Sequence, residues 1–106
     1  MKTPEINGPD DFFRMLAQTT AEIDGFVARE PAYPVWALLQ RQLHAMTQWS
    51  ANGAVPTPEQ RGRVTIGLVA ERELEPPANE AMQDLITRLH LLSYAWRFWP
   101  PGSPGD

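Results

Sequence analysis

Residues 57–74, TPEQRGRVTIGLVAEREL, decide the fold class. Val64-Thr65-Ile66-Gly67-Leu68 alternates as a strand would, and Gly62 and Gly67 disfavour a helix. The flanks say the opposite. Thr57-Pro58-Glu59-Gln60 is a capping box, in which the Thr57 hydroxyl accepts a backbone N–H while Gln60 reaches back. Downstream, Ala70-Glu71-Arg72-Glu73-Leu74 are helix formers. A strand here would also find no second strand in the chain to pair with. The stretch is read as helix, with its glycines permitting a neighbouring helix to come close.

Working outward, prolines cut the rest of the chain into further helical pieces. After Glu75-Pro76-Pro77, the residues Ala78, Met82, Leu85, Leu89, Leu92, Trp96 and Trp99 recur at alternating steps of four and three, the seam of a packed bundle helix. Leu91, Ala95 and Phe98 add a second apolar edge. Before the deciding stretch, Pro34 suits a first helical turn. Val35, Leu39, Leu43, Met46 and Trp49 form a stripe that Asn52-Gly53 can close. At the start, Asn7-Gly8-Pro9-Asp10-Asp11 signals a helix N-terminus. Phe12, Leu16, Thr20, Ile23 and Phe26-Val27 follow on one face until Glu30-Pro31 ends it. The expected architecture is all-α, a single-domain bundle of about four helices over residues 1–99. Residues 100–106, PPGSPGD, cannot continue a helix and are read as a mobile tail.

Composition narrows the function. The chain has 106 residues and a formal net charge of −4, enough for one core. An acidic surface with Lys2 as its single lysine repels phosphate backbones and anionic lipid heads, so neither nucleic acid nor membrane is an expected partner. The chain has no cysteine, which excludes disulfides, thiol catalysis and cysteine-ligated zinc. No apolar run resembles a secretory signal or approaches a membrane span, so a cytoplasmic location is expected.

Residues 71–84, ERELEPPANEAMQD, carry five acids: Glu71, Glu73, Glu75, Glu80 and Asp84. Such a cluster can hold a metal, run acid–base chemistry or face a basic partner. Carboxylate metal sites in bundles need inward-facing acids and usually a Glu-x-x-His pair. Here Arg41 stands three positions before His44, and Thr87 three before His90. On a helix Glu73 points away from Glu71 and Glu75, so the acids spread apart. The paired Glu-x-x-Glu and Glu-x-x-Asp motifs of all-α nucleotide pyrophosphohydrolases do not occur. None of Ser50, Ser93 or Ser103 sits in a Gly-x-Ser-x-Gly turn, and no Gly-rich phosphate loop is present. No catalytic, metal or cofactor residue is assigned, and both histidines are read as surface or edge residues. The acids are then a solvated face or a recognition surface, the latter helped by a Pro-Pro corner that preorganises the backbone. Trp36, Tyr33 and Tyr94 are the aromatic residues placed to be exposed contacts.

Two runs, YPVWALLQRQLHAMTQW at 33–49 and GLVAERELEPPANEAMQDLITRLHLLSYAW at 67–96, carry a resemblance. They share an aromatic-Pro lead into a Leu/Gln-rich helix, then Gly67, Leu68, Ala70, Glu73 and Leu74. An acidic, Pro-containing break and a Leu-rich last helix follow. Over roughly residues 22–96 the chain resembles a family of bacterial type VI secretion immunity proteins. The best-known member of that family neutralises an NAD(P)+ glycohydrolase effector. Pro76-Pro77 and the Trp-rich end depart from the family pattern. The resemblance implies a small, non-catalytic antitoxin, without cofactor, that binds a cognate toxin domain and blocks its cleft. The residues expected to make that contact are Glu71, Glu73, Glu75, Glu80 and Asp84, with Tyr33 and Trp36 as apolar anchors. The competing expectation is an adaptor that self-associates through the last helix, Leu89–Trp99.

Overall fold

Pro9 begins the first helix in the computed structural model, which describes residues 5–100. Helix α1 (Pro9–Arg29) follows an extended Gly8 and carries Asp10 and Asp11 in its first turn, where carboxylates suit the helix dipole. It buries Phe12, Met15, Leu16, Thr19 and Ile23. Thr19, one position before the expected Thr20, takes the inward place. Thr20 instead donates its hydroxyl to the Leu16 carbonyl (2.7 Å). Helix α2 (Pro34–Trp49) buries Val35, Trp36, Leu39, Leu43 and Met46. A single 3-10 turn, Ala51–Gly53, ends it, and there Asn52 (φ 58°) and Gly53 (φ 79°) take the left-handed conformation that stops a helix.

The deciding stretch is helical, but in two pieces. Helix α3 (Pro58–Gly62) has the expected capping box in full: Gln60 N–H donates to Thr57 Oγ1 (3.1 Å) and Thr57 N–H to Gln60 Oε1 (3.0 Å). Helix α4 (Ile66–Glu73) starts afresh after Arg63–Thr65. The break has a partner outside the stretch. The Gln42 amide of α2 accepts the Thr65 N–H (2.7 Å) and donates to Thr65 Oγ1 (2.9 Å), satisfying backbone that a continuous helix would have bonded internally. Helix α5 (Glu80–Arg97) begins two residues after Ala78, because the Asn79 side chain caps it by accepting the Met82 N–H (2.9 Å). The described residues form no strand. The fold is all-α, four helical segments with the third in two parts. Of the expected tail, residues 101–106 lie outside the described residues.

Helix α1 packs on α2 and α5, α4 on α5 and α2, and α3 on α5. Trp96 sits where these contacts meet and is fully buried. Its ring stacks near Phe12 of α1 (6.2 Å between centroids) and Trp49 of α2 (6.3 Å). Its indole N–H donates to the Gln60 carbonyl of α3 (3.0 Å). Trp99 closes the cluster edge-on against Phe12 (5.2 Å) and Trp96 (5.7 Å).

One charged side chain, Arg88, lies inside this core. Its Nη2 donates to Glu22 Oε2 (2.6 Å) and its Nη1 to Thr19 Oγ1 (3.1 Å), tying α5 to α1. The Arg88 side chain is 8% exposed and that of Glu22 30%, so only Glu22 has water to fall back on. Removing the acid strands a buried cation, whereas removing the cation leaves an acid that is still partly in water. Glu22→Ala is therefore expected to cost about 3 kcal/mol of folding stability, the lower end for breaking a buried pair because Glu22 is partly in water. Arg88→Met, which keeps the volume and deletes the charge, is expected to cost clearly less. Urea unfolding of the two variants checks the order, and equal losses would show that the pair is not desolvated.

Candidate interaction surface

Gly67 brings α4 against α5. It is buried, and a Cβ built on it would lie 3.1 Å from both Ser93 Cβ and Ser93 Oγ and 3.3 Å from His90 Nδ1. The next residue, Leu68, faces away from that contact and stands 46% exposed. Leu68 is a ridge between two open grooves. The first, about 850 Å³, runs between the α3–α4 segment and the C-terminal half of α5. The second, about 570 Å³, lies between α2 and α4 over Leu38 and Val69.

The first groove is rimmed by Tyr94 and Phe98, which are 68% and 56% exposed. Their rings lie 4.7 Å apart, and the Arg97 guanidinium sits 5.7 Å from the Phe98 ring centroid. Arg61 and Glu71 also line it, while Arg41, Arg72 and Glu73 line the second groove. Ion pairs among the described residues join Arg14 to Asp11, His44 to Asp24, Arg63 to Glu59 and Arg88 to Glu22. None of them involves the four groove arginines.

Glu71, Glu73, Glu75, Glu80 and Asp84 are all exposed, but the fold separates them. Glu71 and Glu73 flank Leu68 on opposite sides, one in each groove. Glu75 lies in the turn after α4, and Glu80 and Asp84 lie in the first turns of α5. No three His, Asp or Glu side chains gather as a metal site among the described residues. Tyr33 is partly exposed, rests edge-on against Trp36 (5.5 Å), and donates its hydroxyl to the Glu73 carbonyl (3.2 Å), strapping the α1–α2 corner to the end of α4.

Trp36 corrects an expectation. It is 3% exposed and stacks on Phe26 at 4.3 Å, so it supports Tyr33 from within and offers no outer surface. Phe98 departs the other way, because at the C-cap just beyond α5 the chain leaves the helix and turns that expected edge residue into solvent. Sequence reasoning missed Leu68, Arg61 and Arg97 as surface partners. Leu68 reads as a core residue in any helical stripe, and its outward position depends on how α4 is held by Gly67, Gln42 and Tyr33 together. Both histidines are exposed. Asp24 Oδ1 accepts from His44 Nε2 (2.9 Å) and Gln40 Nε2 (2.9 Å), and these hydrogen bonds, His44 first, hold the Asp24 carboxyl below its usual pKa.

Comparison of the chain with protein-family models, curated proteins and solved structures gave no match. No helix among the described residues is long and apolar enough to cross a membrane.

Two substitutions test this geometry. In an ordinary helix interior Gly→Ala stabilises by about 0.5–1 kcal/mol. Gly67→Ala is expected instead to destabilise by about 1 kcal/mol through overpacking. In a double-mutant cycle with Ser93→Gly the two losses should be less than additive, as read by thermal unfolding. For Asp24, a lowered folded pKa means the bonds stabilise the protein above the unfolded carboxylate value of about 3.9. That contribution is lost as pH falls through the lower folded value. Both partners are half in water, so Asp24→Asn is expected to cost only about 0.2–1 kcal/mol near neutrality. The penalty should shrink to nothing in strong acid, as read by urea unfolding across the acid range.

Proposed function

We propose that this chain is an immunity protein that binds a toxin domain acting inside the producing cell and covers its substrate cleft. The observation that carries this reading is the set of large apolar side chains, Leu68, Tyr94 and Phe98, held outward beside arginines that form no ion pair among the described residues. Aromatic anchors ringed by charged groups are the usual composition of a tight protein interface, and a rigid display loses little entropy on docking. The resemblance over residues 22–96 supplies the class of partner, a type VI secretion effector, with NAD(P)+ degradation or other nucleotide chemistry as its activity. Inhibition is steric, strengthened by charge complementarity, and this chain makes and breaks no bond. The exposed acids at the α4–α5 turn (Glu75, Glu80 and Asp84) suit the cationic rim of a cleft that holds pyrophosphate.

A second reading follows from the same residues. Tyr94 projects from the last helix and Phe98 from its C-cap, as an adaptor that pairs with its own copy requires. An obligate oligomer by light scattering, with no affinity for a toxin, favours that alternative.

The test of the immunity reading is co-expression with a toxin encoded beside this chain, following growth, cellular NAD and co-purification. Rescue of growth together with a stable complex is expected, and killing that proceeds unchanged in the presence of this protein overturns the reading. Glu75→Lys with Asp84→Lys is expected to weaken the complex while leaving stability within about 0.5 kcal/mol, as for other exposed positions. Undiminished binding by that variant would leave these acids as a solvated face.

A further inference from the structure

We infer that the Leu68 ridge and its two grooves receive an acidic, amphipathic segment of the partner protein, with its carboxylates placed on Arg61 and Arg97. The inference rests on the chain being a binding module, and it fixes which face docks and what chemistry the partner must bring. The chain as a whole is acidic, at −4, yet this face is not. Arg41, Arg61, Arg72 and Arg97 line the grooves against Glu71 and Glu73 alone, and none of the four is in an ion pair among the described residues. Arg61 also has its Nε buried without a hydrogen-bond partner among the described residues, so its charge is only partly balanced within the fold.

These features select the occupant. A purely apolar segment laid over Leu68 and Phe98 would desolvate guanidinium groups and leave them unpaired, which opposes binding. A basic segment would meet like charge. Carboxylates spaced along an apolar stripe satisfy both demands, since guanidinium matches carboxylate in a planar, two-pronged fashion. A continuous polyphosphate fits less well, because it brings no apolar groups to cover the exposed Leu68, Tyr94 and Phe98.

The experiment uses three synthetic helical peptides with one shared Leu/Phe stripe, whose flanking positions are all Glu, all Gln or all Lys. A single-stranded oligonucleotide is the fourth probe. Fluorescence anisotropy reads binding to the full chain, and amide chemical shifts locate it. The Glu peptide is expected to bind best, about tenfold or more tighter than the Gln peptide, and to weaken as salt rises. Its shifts should centre on Leu68, Tyr94, Arg97 and Phe98. Arg61→Glu with Arg97→Glu should abolish the preference. Arg61→Gln with Arg97→Gln provides the same test if charge reversal at the buried Nε prevents folding.

Equal binding of the three peptides, no binding, shifts elsewhere, or tighter binding of the oligonucleotide each overturns the inference. The outcome is separable from that of the immunity reading. A neutralised toxin whose complex is indifferent to Arg61 and Arg97 refutes this docking face and leaves the immunity protein standing. Glu-peptide binding at the grooves, with no toxin neutralised, does the reverse.

Discussion

The fold depends on burying one indole. Trp96 is the point at which α1, α2, α3 and α5 come together: Phe12 and Trp49 pack on its ring, and the Gln60 carbonyl receives its N–H. An aromatic of this size contributes a large apolar area, but its N–H must find an acceptor once water is excluded. Helix α3 meets that need. It is only five residues long, too short to hold itself together in water. The capping box fixes one end and the Trp96 bond draws on a carbonyl of Gln60, a residue of that same box. The indole secures a short helix, and the short helix satisfies the indole.

Three polar links then set the relative positions of the helices more narrowly than apolar packing alone. Arg88 joins α5 to α1 through Glu22 and Thr19, and Gln42 joins α2 to the start of α4 through Thr65. Tyr33 joins the α1–α2 corner to the end of α4. Helix α4 is thereby held at both ends by groups from elsewhere in the chain, while Gly67 lets its first turn press against Ser93 and His90. A helix fixed in that way cannot roll to hide Leu68. The exposed ridge is therefore a consequence of the constraints on α4.

Most of the architecture was legible in the sequence, for reasons that particular residues make plain. The capping box at Thr57 and Gln60, Pro9 and Pro34 in first turns, and the three-and-four spacing from Met82 to Trp96 are local signals, and local signals survive folding. What was not legible depends on distant partners. The break at Arg63–Thr65 needs Gln42, which lies 23 positions away along the chain. The inward turn of Arg88 needs Glu22, 66 positions away. Trp36 looked like a boundary residue from its place beside the Val35 stripe, but Phe26 covers it. The candidate surface was read only in part, since its acids are contiguous in sequence and its arginines are not.

That last difference changes the electrostatic picture. Along the chain, residues 71–84 look like a block of negative charge facing one way. In three dimensions α4 divides the block, sending Glu71 and Glu73 to opposite sides of Leu68, where arginines from α2, α3, α4 and α5 outnumber them. Glu75, Glu80 and Asp84 keep their negative field at the turn beyond. The molecule thus presents two neighbouring regions of opposite sign, an arginine-lined apolar ridge and an acidic corner, mounted on elements that packing holds still. A partner that matched only one region would leave the other unbalanced at the edge of the contact. A partner that matched both would be fixed in orientation as well as held. Specificity of this kind comes from the penalty on wrong alignments as much as from attraction in the right one.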